Sequence, residues 1–91
     1  MAIVTLRYWA AAKDAAGVAE DKVDAQTLAE ALAGGVAAAG ERPGDHAERL
    51  RQVMARSSYL VDGHPAGTRS LDSIVLSSDS VIEVLPPFAG G

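Results

Sequence analysis

The sequence predicts an α+β domain with a mixed sheet covered by a helix on one face only. Three observations predict it. Segments near both ends alternate apolar and polar side chains with a period of two, the mark of half-buried strands. A central stretch from Thr27 changes to helical spacing. The order of elements is strand, strand, helix, helical turn, strand, irregular segment, strand. That order returns the last strand beside the first, where the two pair in parallel at the sheet centre.

Each element has its own grounds. From Ile3 to Trp9 the chain alternates, with Val4, Leu6 and Tyr8 on one face and Ile3, Thr5, Arg7 and Trp9 on the other. Ala10 to Ala16 is a short helix former closed by Gly17, the usual residue where a helix ends in a left-handed turn. Glu20 to Asp24 is short, charged and centred on Val23, which suits an edge strand that resists pairing with other sheets. Leu28, Ala31, Leu32, Gly35, Val36 and Ala39 then form one helical face with Thr27 as N-cap. The Gly34-Gly35 pair costs helix propensity, which a close approach of helix to sheet or a break in the helix would account for. After a turn at Gly40 to Gly44, Ala47, Leu50, Val53 and Met54 point inward, and Arg49, Arg51 and Arg56 form a solvated face. Tyr59-Leu60-Val61 is a third strand ending at Asp62-Gly63. Residues 64 to 79 read as irregular, pinned by Leu71, Ile74 and Leu76. Ser80 to Leu85 is the last strand, stopped by Pro86-Pro87, neither of which can donate to a ladder. Residues 1–85 are thus the domain and 86–91 a flexible C-terminal tail.

Composition narrows the function. The chain has 91 residues, room for one modest core. Alanine supplies 18 of its apolar residues, so the core must come from Val, Leu and Ile. Without cysteine there is no disulfide framework, thiolate metal site or cysteine nucleophile. A net charge of -4 argues against a grip on nucleic-acid phosphates. Met1-Ala2-Ile3-Val4 runs straight into a strand pattern, and no apolar run spans a membrane. A cytoplasmic protein is expected.

No self-contained active site emerges, so the chain by itself does not read as an enzyme. Asp45-His46 and Asp62-Gly63-His64 each place a carboxylate near an imidazole, but in turns and without a third convergent ligand. They read as surface histidines, and no metal site is expected. The serines between Ser57 and Ser80 lie in no nucleophile turn. What remains is Pro86-Pro87-Phe88-Ala89-Gly90-Gly91. From Leu85 these six residues reach about 20 Å when extended. A Gly-Gly end alone is weak. A stiff spacer and an apolar Phe88 before two residues without side chains, directly after a strand, is more informative. Such an end can thread a narrow channel to an enzyme that activates its carboxylate, and an acyl group on glycine cannot racemise.

Arg7-Tyr8-Trp9-Ala10-Ala11-Ala12, Asp79 and the stretch Val81-Ile82-Glu83-Val84-Leu85-Pro86-Pro87-Phe88-Ala89-Gly90-Gly91 carry a family resemblance. The chain resembles the MoaD-type small subunit of molybdopterin synthase, within the ThiS/MoaD sulfur-carrier group of the ubiquitin-like β-grasp fold. Ser78 departs from it, standing where a Gly commonly precedes the Asp. The resemblance implies a cycle centred on Gly91. A ubiquitin-activating-type (MoeB-type) adenylyltransferase spends ATP to adenylate Gly91, and a sulfur donor converts it to a thiocarboxylate. The tail then enters a MoaE-type large subunit, where its sulfur attacks the pterin precursor of the molybdenum cofactor. The carrier itself binds no cofactor. A carrier for thiazole or cysteine synthesis, a ubiquitin-like modifier of lysines and a plain interaction module are the alternatives.

Strand parity adds a partner surface. With the end strands parallel, Val4, Leu6, Tyr8, Ile82 and Val84 face the helix, and Trp9 and Leu85 emerge on the bare face near the base of the tail. Thr5, Arg7 and Glu83 surround them, with Arg7 and Glu83 placed to pair across the strands. The other reading folds Trp9 over an edge as core. The family resemblance implies docking through this face and adds Pro65 and Phe88 to it.

Overall fold

The computed structural model describes residues 2–87. Its elements are β1 (Ile3–Tyr8), α1 (Ala11–Ala16), β2 (Glu20–Asp24), α2 (Leu28–Gly40), α3 (His46–Met54), β3 (Ser58–Val61), β4 (His64–Pro65) and β5 (Val81–Leu85), with a 3-10 turn at Leu71–Ser73. The sheet order is β2-β1-β5-β3-β4. β1 and β5 run parallel in register from Thr5–Val81 to Tyr8–Val84, and the other strand pairs are antiparallel. The expected mixed sheet is present, with β2 at one edge.

Alternation decides which face is buried. Val4, Leu6, Tyr8, Ile82 and Val84 are at most 2% exposed and meet Leu28, Ala31 and Leu32 of α2 and Leu50 of α3 in one core. Thr27 caps α2, its hydroxyl accepting from the Glu30 N–H, while the Glu30 carboxylate accepts from the Gln26 N–H. That reciprocal arrangement satisfies two donors near the helix start. The helix runs unbroken through Gly34-Gly35 because the sheet lies close beneath it. A Cβ on Gly35 would stand 2.6 Å from Leu6 Cδ1 and 2.7 Å from the Tyr8 hydroxyl.

Several sequence readings need correction. β1 ends at Tyr8, and Trp9 opens a tight turn in which the Ala12 N–H donates to the Trp9 carbonyl. The segment after Gly63 is not all irregular. Asp62 and Gly63 both have positive φ, the condition of a tight two-residue hairpin turn, and they reverse the chain into the two-residue strand β4. Ile74 and Leu76 are buried as expected, but Leu71 stays 36% exposed. His46 is no surface-turn residue. It opens α3, and its Nδ1 donates to the Ala15 carbonyl at 2.9 Å, tying α3 to α1. His64 is exposed but lies in β4.

A partly buried polar cluster ties the β1–β2 hairpin to the helical layer. The Tyr8 hydroxyl donates to Asp21 at 2.9 Å, and Arg42 pairs with the same carboxylate while donating to the Ala16 carbonyl at 2.8 Å. Burial, then the bond to Asp21 and the charge of that carboxylate, push the Tyr8 phenol far above its ordinary value of 10.0, with Arg42 opposing. Tyr59, whose hydroxyl donates to the Met54 carbonyl at 2.6 Å, is also pushed up, by burial.

Candidate functional site

All the helices pack on one face of the sheet, and the opposite face carries the side chains that alternation turns outward. In register, one row across it reads Glu20, Arg7, Glu83, Leu60 and Pro65, from edge to edge. Trp9 and Leu85 each follow the last parallel pair, Tyr8–Val84, so both stand at the end of the sheet where the chain leaves β5. Trp9 is 44% exposed and Leu85 half-buried. The alternative of Trp9 as a core residue is therefore wrong. A large part of its aromatic surface stays in water.

Trp9 is not loose on that face. Its Nε1–H donates to Glu83 Oε1 at 3.1 Å, and its backbone N–H donates to the Val84 carbonyl at 3.3 Å. The expected Arg7–Glu83 ion pair is not among those of the described residues, although the two sit opposite each other in register. Glu83 serves Trp9 instead. Ala10 stands in a backbone conformation with φ 49 and ψ -123, rare for any residue with a side chain, and this strain directly adjoins the exposed indole.

The chain exits beside this pair. Pro86 is buried and Pro87 exposed, so the path out of β5 is anchored one residue beyond the strand. Phe88, Ala89, Gly90 and Gly91 lie outside the described residues. Pro65 is exposed, as the docking reading requires, and pairs in register with Leu60. Leu60 was missed. Strand parity was the available signal, because Tyr59 and Val61 pair with the inward residues Val84 and Ile82, leaving Leu60 outward. Ile3, 42% exposed at the far end of β1, extends the same face.

The rest of the described surface offers little chemistry. No group of three or more His, Asp or Glu side chains could hold a metal ion among the described residues. A shallow apolar groove on the helical side, lined by Leu32, Val36, Met54, Tyr59 and Leu71, has Arg51 as its one charged lining residue. Among the described residues no helix is long and apolar enough to cross a membrane.

Solved structures share this architecture closely. Small archaeal modifier protein 1 from Methanosarcina acetivorans is 21% identical, with 100% of this chain and 98% of that chain covered at a TM-score of 0.75. The fold is the ubiquitin-like β-grasp. The small archaeal modifier protein 1 of Haloferax volcanii, also 21% identical, aligns over 97% of this chain and all of its own at a TM-score of 0.70. A complex of subunits 1 and 2 of molybdopterin-converting factor from Helicobacter pylori contains a chain 22% identical, covering 98% of this chain and 99% of that one at a TM-score of 0.63. No protein-family model and no curated protein matches the sequence. The resemblance to the ThiS/MoaD carriers therefore holds at the level of the β-grasp fold.

Proposed function

We propose that this β-grasp protein is a ThiS/MoaD-type sulfur carrier that works through the carboxyl group of Gly91, as the small subunit of a molybdopterin synthase. One observation carries the reading: the central strand β5 delivers the start of the tail beside an exposed, oriented Trp9 on a helix-free sheet face. A face of that kind suits docking on a larger protein, because interface energy concentrates on large aromatic anchors. The Pro-Pro pair stiffens the start of the tail, which suits a chain end offered to a partner's reaction centre.

In this reading the chain supplies a handle and its partners supply the acid–base groups. The Gly91 carboxylate attacks the α-phosphorus of ATP on an activating enzyme, giving the acyl-adenylate and pyrophosphate. A persulfide sulfur then displaces AMP, and reduction of the resulting acyl disulfide by a thiol leaves the thiocarboxylate. The loaded tail enters a large subunit and gives up its sulfur to the pterin precursor. The two-subunit complex among the similar structures supports a large-subunit partner. Deleting Gly91 tests the reading. Sulfur loading should vanish while the thermal midpoint stays unchanged, since the described core runs from Val4 to Val84 and the last strand ends at Leu85. A truncated chain that still takes up sulfur overturns the proposal.

A second reading has its own support. The modifier proteins of two archaea superpose on this chain more closely, at TM-scores of 0.75 and 0.70, than the molybdopterin-factor chain does at 0.63. As a modifier, the chain would pass its Gly91 acyl group to a lysine amine with loss of AMP. Conjugates of higher mass that survive reducing agent in cells would favour this reading, whereas free or non-covalently bound protein would favour the carrier.

A further inference from the structure

The bare sheet face holds one polar contact that docking alone does not explain. Glu83 stands in the middle row of that face, half-buried, with Arg7 opposite it in register. The nearest formal charge would be its natural partner. Its carboxylate instead accepts the indole N–H of Trp9, at 3.1 Å. Among the described residues its second oxygen accepts no hydrogen bond. An exposed tryptophan has two side-chain torsions to lose on binding, and a ring already fixed before encounter loses less.

We infer that Glu83 is a positioning residue for docking: one oxygen holds the Trp9 indole as a preformed anchor, and the other receives a donor from the partner. This rests on the docking face proposed above and deepens it. It also describes the partner. Because Trp9 arrives with its N–H satisfied, the pocket that takes the ring needs no acceptor and is apolar throughout. Because docking covers a carboxylate, the partner must bring a cationic donor, Arg or Lys, to the rim of that pocket. Arg7, though opposite in register, forms no ion pair with Glu83 among the described residues, and a buried charge left unpaired would oppose association. The occupant is thus a protein with an apolar pocket edged by a basic side chain, here the large subunit.

Trp9 is the only tryptophan in the chain, so its fluorescence reports on the anchor without interference. In the isolated protein, Glu83→Ala should lower the fluorescence anisotropy of Trp9 and shift its emission to the red. Glu83→Gln, whose amide oxygen still accepts from the indole, should keep both near the parent values. Affinity for the large subunit should fall about tenfold in Glu83→Ala. In Glu83→Gln it should also fall severalfold, because the amide NH2 stands where the second oxygen was and both the charge and the acceptor for the partner's donor are lost; the part due to charge shrinks as salt rises. Unchanged Trp9 anisotropy in Glu83→Ala overturns the positioning role, and unchanged affinity in Glu83→Gln overturns the cationic donor. If Trp9→Ala weakens the complex and Glu83→Ala does not, this inference alone falls. If neither weakens it, the docking face itself is wrong.

Discussion

Gly35→Ala is a sharp test of how the helix sits on the sheet. The added Cβ would lie 2.6 Å from Leu6 Cδ1 and 2.7 Å from the Tyr8 hydroxyl, closer than side-chain atoms pack. Neither neighbour can step aside easily. Leu6 is fully buried, and the Tyr8 hydroxyl is held by Asp21, which is itself held by Arg42. Replacing a mid-helix glycine gains about 1 kcal/mol of helix propensity. Against that, overpacking costs about 1–3 kcal/mol, and disturbing the buried hydroxyl's bond about 1–3 kcal/mol more. The balance is a loss of about 3 kcal/mol, which lowers the midpoint of a domain this size by roughly 15 °C. Gly34→Ala is the control. Its Cβ would meet Val23 Cβ at 3.1 Å, a tight contact with a half-buried side chain, so the propensity gain should leave stability within about 1 kcal/mol of the parent. Thermal unfolding followed by circular dichroism separates the two. A Gly35→Ala protein as stable as the parent refutes the close approach and the locked cluster beneath it.

Trp9→Ala should weaken large-subunit binding by about 2 kcal/mol while hardly moving the thermal midpoint, since the ring lies outside the core; calorimetric titration beside a melting curve reads both. Tyr8 keeps its proton in the folded state to a higher pH than in the unfolded chain. Its contribution is therefore whole below about pH 10 and declines as pH rises above it. Tyr8→Phe should make the fall of the midpoint above pH 10 shallower, leaving a smaller decline from Tyr59, and an identical pH profile would contradict the assignment. Ala10→Gly should stabilise the protein by about 1 kcal/mol, because glycine occupies the φ 49, ψ -123 conformation without strain. A lower midpoint would show that the turn is not strained.

Local periodicity made much of this fold legible. Alternation in β1 and β5 placed Val4, Leu6, Tyr8, Ile82 and Val84 inward, and the same parity put Trp9 and Leu85 on the open face. Thr27 and Gly17 marked helix ends because capping depends on neighbours within a turn. What stayed hidden depends on partners far along the chain. Arg42 was read only as part of a turn, yet it closes a cluster with Asp21 and Ala16, 21 and 26 residues away. β4 was invisible because two residues, one of them proline, carry no periodic signal. The pairing of Arg7 with Glu83 followed correctly from register as far as neighbourhood goes. Which of two nearby donors the carboxylate takes is a matter of side-chain geometry, and Trp9 takes it. The exposed face of the candidate site was legible, but its polar contact was not.

The central claim is that Gly91 carries sulfur, and intact-mass measurement after incubation with ATP, an activating enzyme and a sulfur source tests it most directly. The expected product is heavier by the replacement of one oxygen with sulfur, with fragmentation confining the change to Gly91 and a Gly91-deleted chain showing none. A chain that stays at its original mass with an activating enzyme proven to accept it, or that gains sulfur elsewhere, contradicts the account.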